Sequence, residues 1–67
     1  MTYNIKINSA LTDQVESLLN ELDFRFQGDE IIAYTELKFK TLTEVNTAFE
    51  VIANHFGDSA ILGTEIA

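Results

Sequence analysis

Asp23-Phe24-Arg25-Phe26-Gln27-Gly28-Asp29-Glu30-Ile31-Ile32-Ala33-Tyr34-Thr35-Glu36-Leu37-Lys38-Phe39-Lys40 is the stretch on which the fold turns. Apolar and polar residues alternate on both sides of Gly28-Asp29, and that pair fits a two-residue hairpin turn with glycine at its first central position. With Gln27 opposite Glu30, Phe26 faces Ile31 and Phe24 faces Ala33. The apolar side chains of both arms then share one face, as a half-buried sheet requires. The second arm, residues 31 to 40, is the longest strand expected. It points Ile31, Ala33, Thr35, Leu37 and Phe39 inward and Ile32, Tyr34, Glu36, Lys38 and Lys40 outward.

An amphipathic helix is expected on either side of this hairpin. Before it, Ser9 offers an N-cap hydroxyl, and Leu11, Val15, Leu18, Leu19 and Leu22 recur at spacings of three and four. Asp13, Glu16, Asn20 and Glu21 fall on the outer face of that helix. After the hairpin, Thr41-Leu42-Thr43-Glu44 has the spacing of a capping box. Leu42, Val45, Ala48, Phe49, Ile52 and Phe56 form the apolar stripe that follows, and Gly57 suits the position just past a helix end. Tyr3-Asn4-Ile5-Lys6-Ile7-Asn8 at the start alternates strictly and reads as a strand with Tyr3, Ile5 and Ile7 inward. Residues 60 to 66 have a strand's composition with weak alternation, Leu62 and Ile66 being assigned inward.

The element order is strand, helix, strand, strand, helix, strand. It resembles the ferredoxin-like superfold over the whole chain, an α+β class with a βαββαβ order. That resemblance implies a four-stranded antiparallel sheet with both helices on one face and the first and third strands central. Superfolds of this kind host many functions. The Cys-x-x-Cys of heavy-metal carriers of this shape is missing, and of the paired aromatics of RNA-recognition domains only Tyr34 has a counterpart.

Sixty-seven residues are expected to form a single small domain, residues 1 to 67, whose core uses nearly every apolar side chain. The chain has no cysteine, so disulfides, thiolate metal sites and thiol nucleophiles are excluded. No signal-like segment and no long apolar run are visible, which leads to a cytoplasmic assignment without membrane contact. Eleven acids against four Lys and Arg give a net charge of −7, which argues against nucleic acid as the partner and for a basic protein.

The inventory for catalysis is thin, and the sequence reads as a non-enzyme with no catalytic residues, metal or cofactor. His55 is the single histidine and falls in the last turn of the second helix, where exposed carbonyls favour an imidazolium. Asp13 with Glu16, and Asp29 with Glu30, lack the alternating oxygen ligands of a calcium loop. Gly28, Gly57 and Gly63 lie on separate elements and form no phosphate-cradling loop. All five phenylalanines fall on expected inward faces, so a core accounts for them.

Charge placement remains. Strand parity sends Lys6, Arg25, Lys38 and Lys40, all the Lys and Arg of the chain, to the outer sheet face around Ile32 and Tyr34, with Ile61 as an extension of that apolar pair. The acids gather on the helices. One reading follows for each side. In the first, the chain is an interaction protein whose acidic helical face, Asp13, Glu16, Glu21, Glu44 and Glu50, imitates a polyanion. It binds and inhibits or regulates a basic, nucleic-acid-binding protein, and small acidic inhibitors of phage or mobile-element type are similar in size and charge. In the second, the open sheet is the site. Lys6, Arg25, Ile32, Tyr34 and Lys38 then take an anionic ligand, single-stranded nucleic acid or a second copy of the same sheet as a homodimer.

Overall fold

A computed structural model describes the chain from Tyr3 to Ile66, with side chains as far as Glu65. The fold is α+β. Strands β1 (Tyr3–Ile7), β2 (Gln27–Ile31), β3 (Tyr34–Phe39) and β4 (Ile61–Ile66) form one antiparallel sheet in the order β2-β3-β1-β4. Helices α1 (Thr12–Glu21) and α2 (Leu42–Phe56) cover one face. This is the ferredoxin-like βαββαβ arrangement, with β1 and β3 central as the element order implied.

The core lies between the helices and the inward face of the two central strands. Ile5, Ile7, Leu37 and Phe39 meet Val15 and Leu19 of α1 and Val45, Ala48 and Ile52 of α2, and Ala60 closes the cluster. Each of these buried side chains removes apolar surface from water at about 25 cal/mol per Å², the main favourable term in so small a fold. A polar link crosses the core. Thr12 Oγ1 donates to the carbonyl of Ser9 at 2.9 Å, so the buried 2.6 Å contact between Thr12 and Thr35 has the Thr35 hydroxyl as its donor.

The hairpin differs from the sequence reading. Gly28-Asp29 is not a turn; both residues lie inside β2, Gly28 opposite Leu37 and Asp29 opposite Glu36. The chain reverses at Ile32-Ala33, between the paired residues Ile31 and Tyr34. Phe24, Arg25 and Phe26 therefore precede the strand. Phe24 and Phe26 still pack on the core, Phe26 with its ring 6.1 Å from that of Phe39. The shift moves Ile31 and Ala33 out of the core and shortens β3 to six residues. Turn propensity favoured glycine, and tertiary pairing overrode it because the longer β2 gives β3 a partner along its inward Thr35 and Leu37.

Other ends shift for local reasons. The expected cap at Ser9 is supplied by Asn8, whose Oδ1 accepts from the Ala10 amide at 3.0 Å and opens a 3-10 turn ahead of α1. At its other end α1 closes in a Schellman motif, with Phe24 N–H donating to Leu19 C=O and Asp23 N–H to Asn20 C=O. That motif leaves Leu22 50% exposed, outside the stripe to which its spacing assigned it. Thr41 caps α2 as anticipated, accepting from the Glu44 amide at 3.1 Å. Leu42 and Phe49 lie at the margin of the buried stripe and stay partly exposed, Phe49 by 38%. In β4 the pairing with β1 slips between Lys6 and Ile7, a bulge that turns Leu62 out to 56% exposure and packs Ile61 on the core. The inward assignment of Leu62 and the outward one of Ile61 are thus reversed; that of Ile66 falls outside the described side chains.

Candidate functional site: one acidic layer and a paired sheet face

The helical layer has one sign of charge. Neither α1 nor α2 contains a lysine or arginine, and between them they carry Asp13, Glu16, Glu21, Glu44 and Glu50. These five do not form one cluster. Asp13 and Glu16 are neighbours one turn apart near the start of α1, where the helix dipole favours anions. Glu21 is the last residue of α1, while Glu50 is exposed midway along α2. Glu44 is partly engaged, its Oε1 accepting from the Thr41 hydroxyl at 3.0 Å.

A third acid joins the first pair. Glu16 lies over Gly28, its carboxylate filling the space that a side chain at 28 would take. Because β2 runs antiparallel to α1, moving from Gly28 to Glu30 leads back toward Asp13. Glu30 pairs with Thr35, the residue bonded to Thr12 at the start of α1. Asp13, Glu16 and Glu30 therefore share the α1–β2 edge, and among the described residues no salt bridge engages any of the three. The sequence reading missed Glu30 by placing it beside a turn; the hidden signal was that a β2 continuing through Gly28 gives Glu30 the helix-side parity.

The outer sheet face does not hold the four cations together. Lys6 and Lys38 are there, accompanied by Asp29, Glu36 and Glu65. Lys38 Nζ is 2.7 Å from Asp29, and Lys6 Nζ is 3.6 Å from Glu65 and 5.2 Å above the Tyr34 ring. The hydrogen bond from Lys38 to Asp29, and secondarily the charge of that carboxylate, raise the lysine pKa above its ordinary value. Asn4 is 5% exposed and donates to Glu36 at 3.2 Å, with its Oδ1 buried and unbonded. Two lysines against three acids leave this face slightly anionic, so the expected contrast between an acidic helical side and a cationic sheet does not hold.

Two members of the expected sheet-face set lie elsewhere. Arg25 belongs to the segment before β2, and Ile32 stands fully exposed in the hairpin turn. The apolar neighbour of Tyr34 on the sheet is Ile31. At the end of the sheet, Arg25, Gln27, Lys38 and Lys40 line an open depression floored by Phe26 and Phe39. His55 is exposed in the last turn of α2, its ring 6.2 Å from that of Phe56. Among the described residues no three His, Cys, Asp or Glu side chains converge as metal ligands, and no helix is long and apolar enough to cross a membrane. Comparison with protein-family models, with curated proteins and with solved structures finds no match to the chain.

Proposed function

We propose that the protein is a small acidic, non-enzymatic interaction protein that binds and regulates a basic protein through its helical layer, centred on Asp13, Glu16 and Glu30. The observation that carries this reading is the complete absence of Lys and Arg from both helices, combined with the pairing of Lys6 and Lys38 to acids on the opposite face. A surface of uniform sign attracts a cationic partner over distances comparable with the Debye length, about 10 Å at 0.1 M salt, and speeds its association. Lys6 lies over the Tyr34 ring and offers that ring less freely to a stacking base.

Affinity capture from the source lysate, with and without nuclease and at low and high salt, tests this reading. Wild type should retain a basic protein that salt releases and nuclease does not. The Asp13→Lys, Glu16→Lys, Glu30→Lys triple variant should lose it, with affinity down by about tenfold or more. Tyr34→Ala should retain it. Equal retention by the triple variant, or retention that depends on nucleic acid, refutes the proposal.

A further inference from the structure

Arg25 and Lys40 have no ion pair among the described residues, although the chain contains eleven acids and only four Lys and Arg. Both line the same depression. Its volume is about 350 Å³, and its remaining walls are Gln27 and the Lys38 side chain, which the 2.7 Å bond to Asp29 holds in place. Phe26 and Phe39 form its floor, with ring centroids 6.1 Å apart and planes tilted by 38°. Phe39 is buried and fixed by the core, and Phe26 is partly buried, packed against the core and lining the depression. The register explains the convergence: Gln27 pairs with Lys38, so the residues just before β2 and just after β3 come together at one end of the sheet.

Two unpaired cations beside a partly exposed phenyl ring stand out among the described residues, whose other two cations, Lys6 and Lys38, are each paired with an acid. A guanidinium binds phosphate or carboxylate oxygens in pairs, an ammonium adds a point charge, and the Gln27 amide supplies a further donor. A flat ring gains by stacking on an aromatic floor. The volume lies at the lower end of the range for small-ligand sites, about 300–1,000 Å³.

We infer that this depression is a binding site for a small aromatic anion, a flat ring bearing a phosphate or carboxylate, with Arg25 and Lys40 holding the anionic group and Phe26 the ring. The site is separate from the acidic edge of α1 and β2 and stands whether or not that edge binds a protein.

The test is a titration of the 15N-labelled protein, followed by amide shifts at about 0.1 M salt, where remote carboxylates are screened. Three probes are used: phenyl phosphate, benzoate and inorganic phosphate. Saturable shifts confined to residues 24–27 and 38–40 are expected with phenyl phosphate or benzoate, and whichever binds more tightly identifies the anionic group. Inorganic phosphate should bind at least fivefold more weakly than the tighter of the two aromatic probes. The Arg25→Gln, Lys40→Gln double variant should weaken the aromatic probe at least tenfold, and Lys6→Gln should not change it. Both substituted positions are exposed, and an unchanged amide spectrum elsewhere verifies the fold. Shifts that fail to saturate, that map elsewhere, or that persist unaltered in the double variant overturn the assignment. Equal affinity for inorganic phosphate and for the tighter of the two aromatic probes overturns it as well, because the aromatic floor would then contribute nothing.

Discussion

α1 and α2 pack side by side on the same face of the sheet, yet their ends are fixed by different means. α2 runs fifteen residues, begins at a threonine whose hydroxyl accepts from the Glu44 amide, and ends at Gly57 with φ 86°. Each of these devices lies within a few residues of the helix it serves. α1 runs ten residues, has no side-chain cap at Leu11, and ends at Asp23 with φ 64°. Apart from the Schellman closure at its C-terminal end, what holds α1 comes from a distance: the Thr12 hydroxyl bonded to Thr35 and Glu16 laid over Gly28, with Phe24 folded back onto the core. A helix secured by local signals can form early and persist, whereas one secured by tertiary ties depends on the sheet beneath it. Hydrogen exchange is accordingly expected to be faster along α1 and β2 than along α2.

The sharpest break in this contrast is at Gly57. Its φ of 86° and ψ of 164° lie in a region that residues with a Cβ essentially do not occupy. Nothing lies within 4 Å of a Cβ built there, so the penalty is backbone strain alone. Gly57→Ala should destabilise by about 2–3 kcal/mol, read from urea unfolding. A loss under about 0.5 kcal/mol would mean that the end of α2 is not fixed by glycine, and the contrast with α1 would fail there.

Next in size is the tie between α1 and β3. Thr12 donates to Ser9, so Thr35 must donate to Thr12, and the two hydroxyls are not equivalent. Thr12→Val strands the buried Thr35 donor, at about 1–2 kcal/mol, while the Ser9 carbonyl keeps its bond from the residue-12 backbone N–H. Thr35→Val leaves Thr12 still bonded to Ser9 and should cost less than about 1 kcal/mol. The reverse order would show that the pair is oriented the other way and that α1 is anchored by something else.

The same distinction governs how much of the fold could be read from the sequence. The element order, the helical stripes, the β1 alternation and both ends of α2 were legible, because period and local capping encode them. The hairpin was not. Its turn is Ile32-Ala33, with no glycine, asparagine or aspartate, while the one glycine of the segment lies within a strand. Register there is set by the pairing of Leu37 with Gly28 and of Thr35 with Glu30, long-range choices that local turn chemistry does not reveal. The error passed on to the candidate site: misplacing the turn hid Glu30 from the acidic edge and put Arg25 and Ile32 on the sheet. Asp13 and Glu16 were legible because helical spacing alone joins them.

Asp23 reverses the sign of the Gly57 experiment. It is the residue past the end of α1, in the left-handed region that aspartate tolerates and glycine adopts without cost. Its carboxylate also sits at the negative end of a helix dipole. Asp23→Gly should therefore stabilise the fold by about 0.5–1 kcal/mol, raising the urea midpoint with an unchanged m-value. A loss of stability would show that the Asp23 side chain makes a compensating contact and that the two helix ends differ less than their backbone angles imply.

The smallest effect is expected at Gly28, where glycine is present without being required by the backbone. An alanine Cβ would meet the Glu16 carboxylate, the far end of a flexible side chain, and would stand 3.7 Å from Leu37 Cδ2, an ordinary contact. The carboxylate gives way while the strand stays. Alanine also restricts the unfolded chain more than glycine does, an effect that offsets the lost contact, so Gly28→Ala should change stability by less than about 0.5 kcal/mol. Its value lies in what it moves. It displaces Glu16 from the α1–β2 edge without altering the net charge, which charge reversal cannot do. If partner affinity then falls while stability holds, the placement of Glu16 beside Asp13 and Glu30 matters as well as its charge. If affinity is unchanged, the field of the whole helical layer suffices and the edge has no special geometry. A loss of more than about 1 kcal/mol would show that β2 itself depends on glycine, making it a third locally fixed position.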